Sequence, residues 1–173
     1  MTPLPRRPRR AAPSTTDAVR ARRSGRRLAL ASLFEAEFGQ RTAPAILERH
    51  LAEVESDPLA AVLAREIVSA VVAERDRIDA RIERVAPQYP VVQLARIDRA
   101  ILRGAIGEVL HSATPTRVAI AEWVELARIY SGDPMRRLVN GVLGRIAAEA
   151  GGTPSPGGAA DRAAETPDHP GAA

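Results

Sequence analysis

The sequence of 173 residues contains no cysteine and no lysine, and only 3% of its residues are aromatic. The absence of cysteine excludes disulfides, thiolate metal sites and cysteine nucleophiles, and it is typical of a protein from a reducing cytosol. All 25 basic residues are arginine, and alanine occupies 33 positions. Small, helix-favouring side chains with few aromatics indicate packed helices rather than a β-sandwich. The same composition is typical of a coding bias, so a single arginine carries little functional weight.

Long hydrophobic runs are also missing. The longest extends only from Leu59 to Ala64, whereas a membrane-spanning helix needs about 20 apolar residues. The N-terminal segment lacks the apolar centre of a secretory signal, although its content of Arg, Ser and Thr leaves an organellar transit peptide as an alternative. We therefore expect a cytoplasmic protein with no membrane segment.

Positive charge is concentrated at the start of the chain. Residues 1–27 contain nine arginines and one acid, Asp17, for a net charge of +8, whereas residues 28–173 contain sixteen arginines and twenty acids, for −4. A basic arm with so few apolar groups does not fold alone, but it neutralises phosphates and gains from counterion release. This charge pattern predicts nucleic acid as the partner. The alternatives are an anionic lipid surface and a solubilising tail with no partner.

Between the two ends, apolar residues recur at intervals of three and four, the periodicity of amphipathic helices. The series are Leu30, Leu33, Phe34 and Phe38; Leu47, Leu51 and Val54; Leu59, Leu63, Ile67, Val71, Ile78, Ile82 and Val85; Ile97, Ile101 and Ala105; Ile120, Val124 and Ala127; and Met135, Leu138, Val139, Val142 and Ile146. Three helix starts are predicted at Asp57-Pro58, Thr114-Pro115 and Asp133-Pro134, where a side-chain oxygen caps the helix and proline takes its first position.

Pro87 and Pro90 interrupt the helical pattern, with three helical segments before them and three after. The prediction is an all-α fold with one domain at residues 23–149, made of two packed three-helix subdomains at about 23–88 and 89–149. Residues 1–22 are predicted to form a disordered, arginine-rich arm, and residues 150–173 a disordered tail rich in Gly, Pro and Ala. Charges such as Asp79 and Glu83 repeat at four-residue spacing and indicate a solvated face.

The sequence contains no recognisable catalytic constellation. Glu108 and His111 share a helical face, but a metal site needs further ligands, so a capping or surface role is predicted for His111. Glu35 and Glu37 are two residues apart and point to different faces, which argues against a carboxylate pair. There is no glycine-rich phosphate loop. We expect a protein that is not an enzyme and has no metal and no cofactor.

Three blocks of the sequence form a specific pattern. They are Ile97-Asp98-Arg99-Ala100-Ile101-Leu102-Arg103 followed by Glu108-Val109-Leu110-His111; Val118-Ala119-Ile120 with Glu122 and Glu125-Leu126-Ala127; and Leu138-Val139-Asn140-Gly141-Val142-Leu143-Gly144. In order and spacing they resemble the NusB family of bacterial transcription antitermination factors. The segment from Arg26 to Glu37 is similar to the first helix of that family. The resemblance covers about residues 22–147.

The resemblance implies an all-α RNA-binding antitermination factor that recognises boxA RNA of ribosomal RNA operons. The implied partners are the ribosomal protein NusE, expected near Phe34 and the last three helices, and the antitermination complex on RNA polymerase. Transferred onto matching residues, the resemblance predicts RNA contacts by Arg22, Arg23, Arg26, Arg27, Arg136 and Arg137. Pro134, Met135 and Leu138 depart from the family pattern, which bears on RNA affinity and sequence preference.

Structural roles are predicted for five residues. Relatives usually have a small residue at position 123 and large ones at 104 and 107, so Trp123 is expected to lie across Gly104 and Gly107. The Trp123 indole N–H is expected to find a partner or the solvent edge. Asn140 is expected inside an apolar seam, bonded to the backbone of a neighbouring helix, which Gly141 allows to approach closely. The alternative for these two residues is direct RNA contact.

Two alternatives keep the fold and change the role. A NusB-like module forms the RNA-binding part of a family of ribosomal RNA cytosine methyltransferases. Only about 23 residues follow the helical core here, and no strand, glycine-rich loop and helix unit for a cofactor is recognisable. The second alternative is a structural homo-oligomer, such as a homodimer, that has no boxA specificity.

Overall fold

The structure, a computed structural model, describes residues 14–53 and 56–151. Within these ranges every regular element is helical. The elements are α1 (Thr15–Ala36), α2 (Ala43–Glu53), α3 (Pro58–Val85), a short 3₁₀ helix (Val91–Gln93), α4 (Arg96–His111), α5 (Thr116–Ser131) and α6 (Asp133–Gly151). The predicted all-α fold is confirmed. None of the described helices combines the length and the apolar character needed to cross a bilayer.

Helix α1 begins before the predicted end of the basic arm, so the predicted boundary at residue 22 is wrong. The Ser14 hydroxyl accepts the backbone N–H of Asp17 at 3.2 Å, and Asp17 places an acid in the first turn. Both features stabilise a helix N-terminus, and Ala21 is already buried. Residues 15–22 are therefore helical, whereas residues 1–13, with Arg6 to Arg10, and residues 152–173 lie outside the described part of the chain.

Two of the predicted helix starts at a proline are capped in different ways. At Asp57-Pro58 the prediction is confirmed, because the Asp57 carboxylate accepts the backbone N–H of Leu59 at 2.8 Å and proline is the first helical residue. Helix α5 begins one residue after Pro115. The proline, rather than Thr114, therefore occupies the capping position, and no side chain caps this helix.

Helices α5 and α6 are joined through a single residue, Gly132. Its positive φ of 86° is a conformation that favours glycine, and its N–H donates to the carbonyls of Ala127 and Arg128. The chain turns at once into α6, which begins at Asp133. The two helices therefore pack as antiparallel neighbours.

Helices α3 and α4 lie at the centre of the molecule. They are antiparallel, since Asp79 of α3 bonds Arg103 of α4 while Val71 lies against Gly107. Three helices precede and three follow the Pro87–Pro90 connection, as predicted, but both groups share one continuous buried cluster. Members from five of the helices are Leu33, Ile67, Ile101, Trp123 and Val139.

Candidate nucleic-acid interface

Helix α1 presents four exposed arginines, Arg20, Arg22, Arg23 and Arg27. Arg20, Arg23 and Arg27 are spaced i, i+3, i+7 and share one face of the helix. Among the described residues, Arg20, Arg22 and Arg27 have no carboxylate at ion-pair distance. These three guanidinium groups are therefore open to an external anion.

Arg23 is held by Glu122 of α5. Its Nε donates to both carboxylate oxygens and its Nη2 donates to Oε1, each at 3.0 Å. The hydrogen bond and the charge of Glu122 raise the pKa of Arg23. The Arg23 side chain nevertheless remains 59% exposed. It is therefore paired internally and accessible at the same time.

Arg26 is 2% exposed, so the prediction that it contacts RNA is wrong. Its Nε and Nη2 donate to the two carboxylate oxygens of Glu108 in α4, at 2.9 and 2.7 Å. A buried charge is tolerated when it is paired, and Glu108 is buried with it. The sequence contained a signal for this, because Arg26 lies three, four and seven residues before Ala29, Leu30 and Leu33, on the buried face of α1.

Trp123 is fully buried and lies across Gly104, as predicted. A Cβ atom on Gly104 would be 2.6 Å from Cη2 of the indole. The indole N–H, which was expected to find a partner or the solvent edge, donates to the Glu108 carboxylate at 2.7 Å. The prediction for Gly107 is wrong, because the nearest atom to a Cβ there belongs to Val71. Gly107 therefore makes room for α3 and not for the indole.

Arg23, Arg26, Glu108, Glu122 and Trp123 form one connected group, which we call the α1–α5 polar cluster. Trp123 and Arg26 both donate to Glu108, Arg26 Nη1 lies 3.9 Å from a Glu122 oxygen, and Glu122 accepts from Arg23. The two guanidinium groups balance the two carboxylates. The cluster thus connects the buried core to the exposed face of α1.

A second ionic cluster, which the sequence analysis did not predict, ties α4 to α3 and to Glu37 at the end of α1. Glu37 accepts from Arg99 at 2.8 Å and from Arg103 at 2.5 Å, and Asp79 accepts two bonds from Arg103 at 2.8 and 2.7 Å. Burial lowers the pKa of Arg103, but the bonds and charges of Asp79 and Glu37 outweigh it and raise that pKa. Asp79 is therefore a structural residue, and its predicted place on a solvated face is wrong.

The two predicted arginines of α6 have different surroundings. Arg136 bonds the Asp133 carboxylate at 2.9 Å and holds the pKa of that carboxyl below its ordinary range. Arg137 is exposed, has no ion-pair partner in the described part of the chain, and lines a cleft of about 330 Å³ together with Tyr89 and Arg145. Arg145 donates to the Val85 carbonyl, so Arg137 supplies the unpaired guanidinium of this cleft. An exposed aromatic ring in the same cleft as an unpaired guanidinium suits a nucleotide, which offers a base for stacking and a phosphate for ion pairing.

Asn140 and Gly141 do not have the structural role predicted for them. Asn140 is exposed and its side chain makes no hydrogen bond within the described residues, and a Cβ on Gly141 would meet no atom within 4 Å. The buried face of α6 includes Val139 and Val142. Asn140 and Gly141 fall on other sides of the helix because successive residues point about 100° apart. Gly141 instead lines the cleft beside Arg137.

The two groups of predicted RNA-binding arginines lie at opposite ends of α4. The α1 group is anchored through Arg26 to Glu108, near the C-terminal end of α4. The α6 group lies at the C-terminal end of α3, which is next to the N-terminal end of α4 because α3 and α4 are antiparallel. From Arg96 to Glu108, α4 measures about 18 Å. A ligand that contacts both groups must therefore be extended.

The surface near Phe34 carries a small aromatic group. The rings of Phe34 and Phe38 meet edge to face with centroids 5.4 Å apart, and the Arg96 guanidinium lies 4.8 Å from the Phe38 centroid. Phe38 is 53% exposed and Val92 is 80% exposed. Aromatic, apolar and arginine side chains together are typical of protein interfaces.

The residues considered for metal or acid–base chemistry are separated in the structure. Glu108 is buried against Arg26 whereas His111 is exposed. Glu35 pairs with Arg49 of α2 while Glu37 belongs to the second ionic cluster, so the two point to different faces, as predicted. The described residues include no group of three or more His, Asp or Glu side chains that could hold a metal ion.

Several known proteins are similar to this chain. A family model described as the NusB family matches residues 23–148. A transcription antitermination protein NusB from Heliobacterium modesticaldum is 38% identical over 130 residues, and the match covers 75% of this chain but only 63% of that protein. A protein of the same description from Clavibacter michiganensis subsp. michiganensis is 41% identical over 132 residues, covering 74% of this chain and 96% of its own length.

Solved structures show the same fold. NusB from T. maritima superposes with a TM-score of 0.68 at 33% identity, covering 74% of this chain and 91% of that one. A chain from the crystal structure of antitermination factors NusB and NusE in complex with dsRNA has a TM-score of 0.65 at 23% identity and covers 75% and 98%. The second likeness concerns the fold alone.

Proposed function

Because the chain belongs to the NusB family of transcription antitermination proteins, which are not enzymes, we propose that it recognises boxA RNA of ribosomal RNA operons together with NusE. The proposal includes its assembly into the antitermination complex on RNA polymerase, in the cytoplasm. The observation that carries it is the set of exposed α1 arginines, Arg20, Arg22 and Arg27, which have no carboxylate partner in the described part of the chain.

Two physical features favour an extended RNA strand as the ligand of these arginines. A side chain on a rigid helix loses less conformational entropy on binding than one on a flexible arm. Each phosphate that it neutralises also releases counterions. The cleft at Tyr89 and Arg137 supplies a stacking surface at the other end of α4. A strand that reaches both places gains both phosphate and base contacts.

NusE is the protein partner in the proposal. A structural relative was crystallised as a complex of NusB and NusE with RNA, which supports a pairing of this kind. We expect the NusE contact near Phe34 and the last three helices. The exposed Phe38 ring beneath the Arg96 guanidinium offers an apolar surface there, and such a surface gains free energy when a partner covers it.

The test is a fluorescence anisotropy titration of labelled boxA RNA and of scrambled RNA of equal length, with and without NusE. We expect tighter binding to boxA and a further gain with NusE. Arg22→Ala and Arg27→Ala should each weaken binding and reduce the slope of log affinity against log salt by about 0.7. The matched control is Arg77→Ala, an exposed arginine on α3 that is paired with Glu74, and it should leave both quantities unchanged.

Two outcomes would contradict the proposal. Equal affinity for boxA and scrambled RNA, with no association with NusE, would favour the structural homo-oligomer without boxA specificity. An unchanged affinity and salt slope in both Arg22→Ala and Arg27→Ala would remove α1 from the RNA interface.

A further inference from the structure

We propose that Glu122 is a positioning residue for RNA binding, which holds the Arg23 guanidinium so that its outer edge meets a backbone phosphate. The inference rests on the proposed function and concerns one contact within it. The residue that touches RNA is Arg23, and Glu122 acts through it.

The geometry of the Arg23–Glu122 pair leaves half of the guanidinium unused. A guanidinium has five N–H donors in a planar fork. Glu122 occupies the edge formed by Nε and one N–H of Nη2, so the two N–H groups of Nη1 and the second N–H of Nη2 make no bond to a described residue. The outer edge that they form matches the spacing of two phosphate oxygens. The exposure of the side chain allows a phosphate to reach it.

Buried residues of the α1–α5 polar cluster hold Glu122 in position. Arg26 Nη1 lies 3.9 Å from its carboxylate, and Arg26 is fixed by two hydrogen bonds to the buried Glu108. Trp123 fixes Glu108 in turn through its indole N–H. Each member of the α1–α5 polar cluster therefore orients the next. Arg23 is the last member and the one that faces solvent.

Two opposing effects decide whether Glu122 strengthens or weakens RNA binding. The Glu122 carboxylate repels a phosphate, but the Arg23 and Arg26 guanidinium groups on either side compensate its charge, and salt screens the repulsion that remains. Ordering one long, flexible side chain during binding costs about 2- to 10-fold in affinity, and Glu122 has already ordered Arg23. The pre-ordering therefore outweighs the repulsion, and removing Glu122 should weaken binding.

The experiment measures affinity for labelled boxA RNA at several salt concentrations for Arg23→Ala, Glu122→Ala and the double variant. We expect Glu122→Ala to weaken binding by about 2- to 10-fold without changing the salt slope, because the Arg23 charge is still present. Arg23→Ala should lower the slope by about 0.7. In the Arg23→Ala background, Glu122→Ala should cause no further loss.

Glu125→Ala is the matched control. It removes the same charge one turn along α5, where Glu125 pairs with Arg128, and it leaves the Arg23–Glu122 pair intact. We expect unchanged or slightly tighter binding. Glu122→Gln, which keeps the shape and one acceptor oxygen, should fall between wild type and Glu122→Ala. It also serves as the test variant if thermal denaturation shows that Glu122→Ala is unfolded.

The outcomes distinguish a failure of the positioning role of Glu122 from a failure of the proposed function. If the wild-type protein binds boxA RNA while both Glu122 variants bind as tightly or more tightly, the positioning role is overturned and the proposed function stands. A loss on Glu122→Ala that is equal with and without Arg23 overturns it as well. No binding of boxA RNA by the wild-type protein overturns both.

Discussion

Trp123 and Gly104 share one space, so the effect of adding a methyl group at position 104 should depend on the residue at position 123. In the wild-type protein the Cβ atom of Gly104→Ala would lie 2.6 Å from Cη2 and 3.1 Å from Cζ2 of the indole. The ring is fully buried and its N–H is bonded to Glu108, so it has no free direction of movement. Overpacking of this kind costs about 1–3 kcal/mol, and the higher helix propensity of alanine offsets about 1 kcal/mol.

Removing the Trp123 ring should make Gly104→Ala stabilising rather than destabilising. Trp123→Ala should lower the free energy of unfolding by about 3–5 kcal/mol, because it leaves a cavity in the core. In that background the methyl group of Gly104→Ala has room and partly fills the cavity. Gly104→Ala should then stabilise the protein by about 1 kcal/mol through helix propensity. The two substitutions are therefore coupled by about 1–3 kcal/mol.

Urea denaturation of the four proteins measures this coupling. Far-ultraviolet circular dichroism is the signal, because Trp123 is the only tryptophan and its fluorescence is lost in two of the proteins. Gly144→Ala is the control, since Gly144 lies inside α6 with no atom within 4 Å of its added Cβ. It should stabilise the protein by up to about 1 kcal/mol in either background. If Gly104→Ala changes the free energy of unfolding equally in both backgrounds, Trp123 and a side chain at position 104 do not compete for the same space.

Two further predictions concern ion pairs. Glu108→Gln removes the carboxylate that is hydrogen-bonded to the buried Arg26 and leaves only the more distant Glu122 carboxylate, 3.9 Å away. The free energy of unfolding should therefore fall by about 3–5 kcal/mol in urea denaturation. A loss below about 1 kcal/mol would show that the pair does not matter for stability. Arg136 lowers the pKa of Asp133, so this pair stabilises the folded protein above the ordinary Asp pKa and its contribution is lost as the pH falls below about 4. In Arg136→Ala an NMR titration should find the Asp133 pKa raised toward its ordinary value, and an unchanged pKa would contradict the role of Arg136.

The number and order of the helices followed from the sequence because helix formation depends on residues within about four positions of one another. The start of α1 was missed for a related reason. Its first turns contain few apolar residues, so apolar spacing carries no signal there, and the stabilising features are the Ser14 cap and the acid at Asp17. Asn140 was misplaced because apolar neighbours in sequence do not define the buried face of a helix. That face is set by which side of α6 meets its neighbours.

Arg26 and Arg27 show what cannot be predicted from the local sequence. They are adjacent and chemically identical, yet Arg26 is buried and Arg27 is exposed, because successive side chains on a helix diverge by about 100°. The composition and periodicity of the chain were enough to predict a helical fold with a basic N-terminal region. Which of its arginines can meet RNA depends on a carboxylate, Glu108, that lies 82 residues away in sequence. That pairing exists only after α1 packs against α4, since a buried charge requires a partner that the local sequence does not supply.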